Sequence, residues 1–159
     1  MFCSTMPTPI GLVVIKATHE ALTFIGYDEE DVDENSNELT EYAKNQLLEY
    51  FTGTRTTFDF PILQTGTKFQ NSVWNELLNI NLGKPISYAV LSKRMNNPLA
   101  IRAIASANGK NKLMIVVPCH RVIGSTGELV GYAGGLWRKK WLLEHEAKMM
   151  GMGQVSLMF

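Results

Sequence analysis

The charge of this chain reverses part-way along it. Residues 1–60 hold three Lys or Arg against eleven Asp or Glu, a net of −8. Residues 61–159 hold twelve against four, a net of +8, so the formal charge of zero hides two opposite halves. The reversal falls near "QTGTKFQ", which marks the expected boundary. Such a chain is expected to fold as two lobes, 1–65 and 66–159, with only the second facing a polyanion. Two solvated faces that balance each other account for the same charges. A length of 159 residues with 45% hydrophobic content allows a real core.

In the acidic part, "LVVIK" (12–16) and "ALTFIGY" (21–27) read as strands joined by the polar turn "ATHE". The acidic loop "DEEDVDENSN" follows. Leu39, Tyr42, Ala43, Leu47 and Tyr50 then recur at helical spacing over Glu38–Phe51, with Asn35, Ser36 or Asn37 as the N-cap and Gly53 as the stop. "TTFDFPI" reads as a short edge strand limited by Pro61. The expectation is a small α/β lobe.

In the basic part, Thr67 and Gln70 have capping-box spacing before a helix carrying Phe69, Val73, Leu77 and Ile80 on one face. Ser87 caps a short helix, "YAVLSKRM". Asn97 and Pro98 fit the N-cap and first position of the next, "LAIRAIASAN", which Gly109 ends. Two short helices around a tight turn suggest a helix-turn-helix. The second is lined with Ala100, Ala103, Ala105, Ser106 and Ala107, small enough to let its backbone approach a groove or another helix. The closing "GMGQVSLMF" reads as a loosely held tail.

The stretch "MIVVPCHRVIG" delivers Cys119, His120 and Arg121 in a row at the end of a β-branched run. Basic neighbours favour a thiolate, and a Cys–His pair with a third group orienting the base is the minimum for an activated sulfur nucleophile. Adjacent strand residues point to opposite faces, so the pair can meet only if the chain turns at Pro118–Cys119. A buried inert cysteine beside a surface histidine fits the local residues equally well.

The wider context narrows this. "PCHRVIG" followed by "GELVGYAGGLWRKKWLLEHE" resembles the O6-alkylguanine-DNA alkyltransferases, also called methylated-DNA–protein-cysteine methyltransferases. "FQNSVWNELLNI", "ISYAVL" and "IRAIASANGKN" are similar to the same family in the same order, from about Thr67 to Glu146. The acidic lobe matches in general character only. The resemblance implies an α/β protein: a small ribonuclease H-like first lobe, then a mostly helical DNA-binding domain with a helix-turn-helix. The implied reaction is irreversible, single-turnover transfer of an alkyl group from O6-alkylguanine in DNA, with O4-alkylthymine as a second candidate substrate, to the protein's own cysteine.

Carried onto this chain, the resemblance makes Cys119 the alkyl acceptor and His120 its general base through a water, with Glu146 holding the imidazole. Asn111 would brace the active-site turn, and Tyr88 would contact the flipped nucleotide's phosphate and protonate the departing guanine. Backbone groups of Cys119 and Val122 would accept from the guanine amino group, and Tyr132 and Ala133 would recognise O6. Arg102 would fill the gap left by the flipped base, since extrusion costs a few kcal/mol. Ala103 and Ser106 would let the helix enter the minor groove of double-stranded DNA, and Arg121 joins the DNA-binding set. Where many relatives carry prolines, this chain has Lys112 and Met114; Met114 would line the base pocket with a flexible chain and alter the alkyl groups accepted.

No cofactor is implied. Some members hold zinc in the first lobe, but here only Cys3 and His19 are available there, too few for a four-ligand site, so no metal is expected. Two cysteines and a start without a basic, apolar leader favour a reducing compartment. The expected location is the cytoplasm, or the nucleus in a eukaryote, for a monomer with no membrane contact. Three other classes remain: a lesion-binding protein without chemistry, a helix-turn-helix regulator, and a cysteine hydrolase.

Overall fold

A computed structural model describes residues 1–27 and 32–151. The tail expectation therefore lies outside the described residues from 152 onward, as does the acidic loop over 28–31. The chain forms two compact units. The first is Met1–Gln64 together with Lys112–Val116; the second is Thr65–Asn111 with the described residues from Val117 on.

In the first unit, β1 (Phe2–Thr8), β2 (Gly11–Ala17) and β3 (Leu22–Tyr27) form an antiparallel sheet in that order. Register pairs Met6 with Val13 and Ile15 with Ile25. β1 escaped the sequence reading because Ser4, Thr5 and Pro7 interrupt its apolar character. It is nonetheless compatible with an edge strand, where a proline costs no central ladder bond. Gly11 turns the chain from β1 into β2 at φ +108°, a conformation open mainly to glycine.

The helix α1 spans Glu38–Phe51, as its periodicity predicts, and packs on β1 and β2. Asn37 is the N-cap. Its side chain accepts from Thr40 N at 2.8 Å while Asn37 N donates to Thr40 Oγ1 at 3.0 Å. Ala43, Leu47 and Tyr50 are buried, whereas Tyr42 is exposed and its hydroxyl donates to Asp59. "TTFDFPI" is not a strand. Only Ile62 forms a bridge, parallel to Leu22, because Pro61 has no N–H for a ladder and serves instead as an acceptor for Leu22 N.

The run before Cys119 is not a strand either. Lys112 O accepts from Ile25 N and Met114 N donates to Ile25 O, which ties this segment to β3 and assigns 112–116 to the first unit rather than to the second domain. At Ile115 the backbone turns to φ +72°, with Val116 N donating to Met114 O at 2.8 Å. That is a γ-turn of the rare, strained hand on a β-branched residue.

In the second unit, α2 (Lys68–Leu77) is closed by the Thr67–Gln70 capping box. Ser87 caps α3 (Tyr88–Arg94) through Val90 N. The helix α4 (Ile101–Gly109) begins at Ala100 without a side-chain cap, so Asn97 and Pro98 belong to the preceding turn and not to the helix start. Asn97 N instead donates to Ser92 O at the end of α3. α3 and α4 pack together as the expected helical pair, and Trp74 of α2 donates from Nε1 to Ala107 O in α4. β4 (Ile86–Ser87) pairs in parallel with β5 (Val122–Ile123), and α5 (Leu136–Met149) follows. Among the described residues no helix is long and apolar enough to cross a membrane.

Candidate active site

Pro118 starts the site. Cys119 N donates to Val117 O across Pro118, and Arg121 N donates to Pro118 O, so Cys119–Arg121 form a single 3-10 turn. β5 then leads away to pair with β4. The turn packs against α5 and α2, which leaves Cys119, His120 and Arg121 all buried. The chain thus changes direction at Pro118–Cys119, the turn that a Cys–His pair requires.

His120 lies with Nε2 2.7 Å from Glu146 Oε2, both side chains essentially inaccessible. Glu146, in the last turns of α5, is therefore not a surface acid. His120 Nδ1 is buried and has no protein partner. With Nε2 committed to the carboxylate, Nδ1 is the ring atom free to take a proton. Burial disfavours the imidazolium and depresses the His120 pKa, although Glu146 opposes that shift. Burial also opposes charge on Glu146, but His120 and Arg121 outweigh it and hold the carboxyl well below the usual carboxylate range.

Cys119 is a buried free thiol whose pKa burial pushes up to about 11, against the opposing influence of the Asn111 side chain and the Lys139 charge. The resting sulfur is thus protonated at neutral pH. Burial outweighs the basic neighbours that the sequence offered in favour of a thiolate. Asn111 Nδ2 also donates to Val117 O at 2.7 Å, which braces the turn ahead of the cysteine.

Tyr88 is half-buried at the start of α3, and burial raises its pKa. Its hydroxyl accepts from Asn108 Nδ2 at 3.1 Å, and the same amide nitrogen reaches Cys119 O at 3.3 Å. Asn108 therefore links tyrosine and cysteine, and sequence reasoning missed it. It sits in the last turn of α4 beside Gly109, where it reads as part of a helix end. Its Oδ1 is buried without a protein partner.

Two further side chains hold the site together. Lys139 is fully buried, and its Nζ donates to Val122 O at 2.6 Å, Val130 O at 2.7 Å and Gly131 O at 3.2 Å. It joins the chain after the cysteine to the segment that leads into Tyr132 and Ala133, and burial lowers its pKa to about 8. The Cys119 and Val122 carbonyls expected to meet a guanine accept from Asn108 Nδ2 and Lys139 Nζ respectively. Arg121, expected at the DNA, is only 8% exposed and turned inward. Its Nε donates to Glu146 Oε1 at 2.8 Å, Nη2 to Glu146 Oε2 at 3.0 Å and Nη1 to Ile80 O at 2.8 Å. Three of its five N–H donors are thus spent inside the protein.

Arg102, Ala103 and Ser106 do lie together, exposed on one face of α4. Tyr132 is half-buried and Ala133 exposed. Met114 is buried in the segment of the first unit bonded to Ile25.

Comparison with known proteins is decisive on ancestry. Residues 68–148 match the model of the 6-O-methylguanine DNA methyltransferase DNA binding domain, and residues 1–64 match that of its ribonuclease-like domain. The chain belongs to the O6-methylguanine-DNA methyltransferase family. The methylated-DNA–protein-cysteine methyltransferase of Methanosarcina acetivorans is 37% identical over 153 residues, covering 92% of this chain and 98% of the relative. The constitutive enzyme of that name from Bacillus subtilis is 41% identical, with 84% and 87% covered. A crystal structure of Mycobacterium tuberculosis OGT in complex with DNA superposes with a TM-score of 0.86 at 37% identity, over 94% of each chain. The family fold, a small α/β sheet domain followed by a helical DNA-binding domain, is the fold of this chain.

Proposed function

We propose that this protein is a DNA repair methyltransferase that removes the alkyl group from O6-alkylguanine in double-stranded DNA and keeps it on Cys119. One observation carries the reading. A buried thiol sits in a turn with a histidine whose Nε2 is fixed on a carboxylate and whose Nδ1 is unpartnered. That is the arrangement of a general base poised to take a proton through a water.

In the proposed reaction, His120 Nδ1 receives the Cys119 proton and the resulting sulfur attacks the methyl carbon. The S–C bond forms as the C–O6 bond breaks, with both bonding electrons leaving on the guanine. Tyr88 donates a proton to the departing base and recovers one from the imidazolium through solvent. Glu146 stabilises the imidazolium while it exists. The thioether has no route to cleavage in this site, so each protein reacts once.

DNA enters through the exposed face of α4. Arg102, Ala103 and Ser106 present one cation between small side chains, which suits a minor groove read without base specificity. The protein acts as a monomer, because one chain supplies every group in the scheme. The experiment is Cys119→Ser incubated with duplex DNA holding one O6-methylguanine. The variant is expected to bind that duplex and leave the lesion intact. Lesion loss at the wild-type rate overturns the reading.

A further inference from the structure

Arg121 is the least expected charge in the molecule. It follows the nucleophile and base directly, yet its guanidinium faces away from solvent and spends all three nitrogens internally. Two of them grip both oxygens of Glu146 side by side, the forked geometry that fixes a carboxylate's plane as well as its place. The third anchors the fork to Ile80 O, in the chain just after α2.

Consider what Glu146 does without that fork. A glutamate on a helix has several rotamers, and one bond to His120 leaves its plane free to swing. The imidazole would swing with it, and Nδ1 would lose its aim. The fork also settles the charge. Glu146 and Arg121 together are neutral, so His120 faces a compensated pair and not a bare carboxylate. A bare carboxylate in a dry site would hold the imidazolium, and a histidine already protonated cannot act as a base. The charged groups acting on His120 are Glu146 and Lys139 from α5 and Arg121 from its own turn; the two cations favour neutral imidazole and Glu146 favours the charged form.

We propose that Arg121 is a positioning residue for alkyl transfer: its fork on Glu146 and its anchor on Ile80 fix the carboxylate that aims His120, the group that accepts the Cys119 proton. The assignment rests on the reading of Cys119 as alkyl acceptor and adds to it. It also gives the "CHR" order a physical reason, since one 3-10 turn then supplies nucleophile, base and the group that positions the base's partner.

The test compares full-length wild type, Arg121→Met, Arg121→Lys and Glu146→Gln. Single-turnover methyl transfer from a duplex is followed from about pH 5 to about pH 9, with the His120 ring titrated by NMR in the same proteins. Arg121→Met is expected to slow transfer about 100-fold at neutral pH, the cost of a misaimed catalytic group. Its acid limb and His120 midpoint should move to higher pH, while Glu146→Gln should move both to lower pH. The opposite signs separate a positioning charge from a merely structural one.

Arg121→Lys keeps the charge without the fork. It should hold the wild-type midpoint and recover only part of the rate. It carries the test alone if the methionine variant does not fold, and a full wild-type rate in it overturns the proposal. So does slowed transfer in Arg121→Met with the His120 midpoint unmoved. Unchanged transfer chemistry with weaker binding to every duplex, and a salt slope altered by about one, would instead make Arg121 a phosphate contact. Failure of wild type to place methyl on Cys119 sinks the underlying reading and is seen separately.

Discussion

Glu146 Oε2 stands 2.7 Å from His120 Nε2, with both side chains buried. The bond commits one ring nitrogen and releases the other, and it joins a 3-10 turn to a helical residue twenty-six positions further on in sequence. Its chemistry has a thermodynamic consequence as well as a catalytic one.

Acid should destabilise the fold in two stages. Burial holds the His120 pKa below its ordinary value of 6.5, so the native state binds fewer protons than the unfolded chain. Its contribution to stability is complete above that value and is lost as pH falls through the depressed one. Glu146, held by His120 and Arg121 below its ordinary value of 4.5, adds a second loss further down with the same sign. Urea midpoints should therefore fall on acidification from about pH 7 to about pH 5, and fall again below about pH 4. A midpoint that rises over the first interval contradicts the buried neutral histidine.

Asn108→Ala should impair the reaction without abolishing the fold. The change removes the amide that connects Tyr88 Oη to Cys119 O and leaves both to find other partners. A lost buried hydrogen bond of this kind costs about 1–3 kcal/mol of stability. Thermal denaturation should show that loss, and single-turnover assays should show slower transfer, because Tyr88, the proposed proton donor, is no longer tied to Cys119 O. Transfer at the wild-type rate would make Asn108 purely structural.

Arg102→Ala should discriminate among substrates. Arg102 is exposed on the small-residue face of α4, where a side chain could occupy the space of an extruded base. Its loss should slow repair of a paired lesion most, because unstacking costs a few kcal/mol that nothing then offsets. A mispaired lesion should suffer less. Reaction with the free base O6-benzylguanine, which needs no extrusion, should barely change. Equal slowing on all three would place Arg102 in the pocket's support instead.

Sequence signals served best where they were local. Asn37, Thr67 and Ser87 cap their helices with residues three positions on, and each cap was legible because both partners lie within one turn. Expectation failed where the deciding partner is distant. The run 114–117 has strand-forming side chains, yet the bonds of Met114 and Lys112 to Ile25 and the left-handed backbone at Ile115 break it. Arg121 looked like a DNA contact because its partners, Ile80 and Glu146, are 41 and 25 residues away. Asn108 gave no local sign at all. The contact of His120 with Glu146 was legible through the ordered family motifs; spacing alone left an inert cysteine equally open.

The central claim is that Cys119 keeps the alkyl group. Intact-mass analysis after incubation with excess O6-methylguanine duplex tests it directly, with peptide mapping of the product. One methyl per protein is expected, located on Cys119, and no further lesion should disappear once every molecule carries it. Label on Cys3, or continued lesion loss beyond one equivalent, would contradict the account.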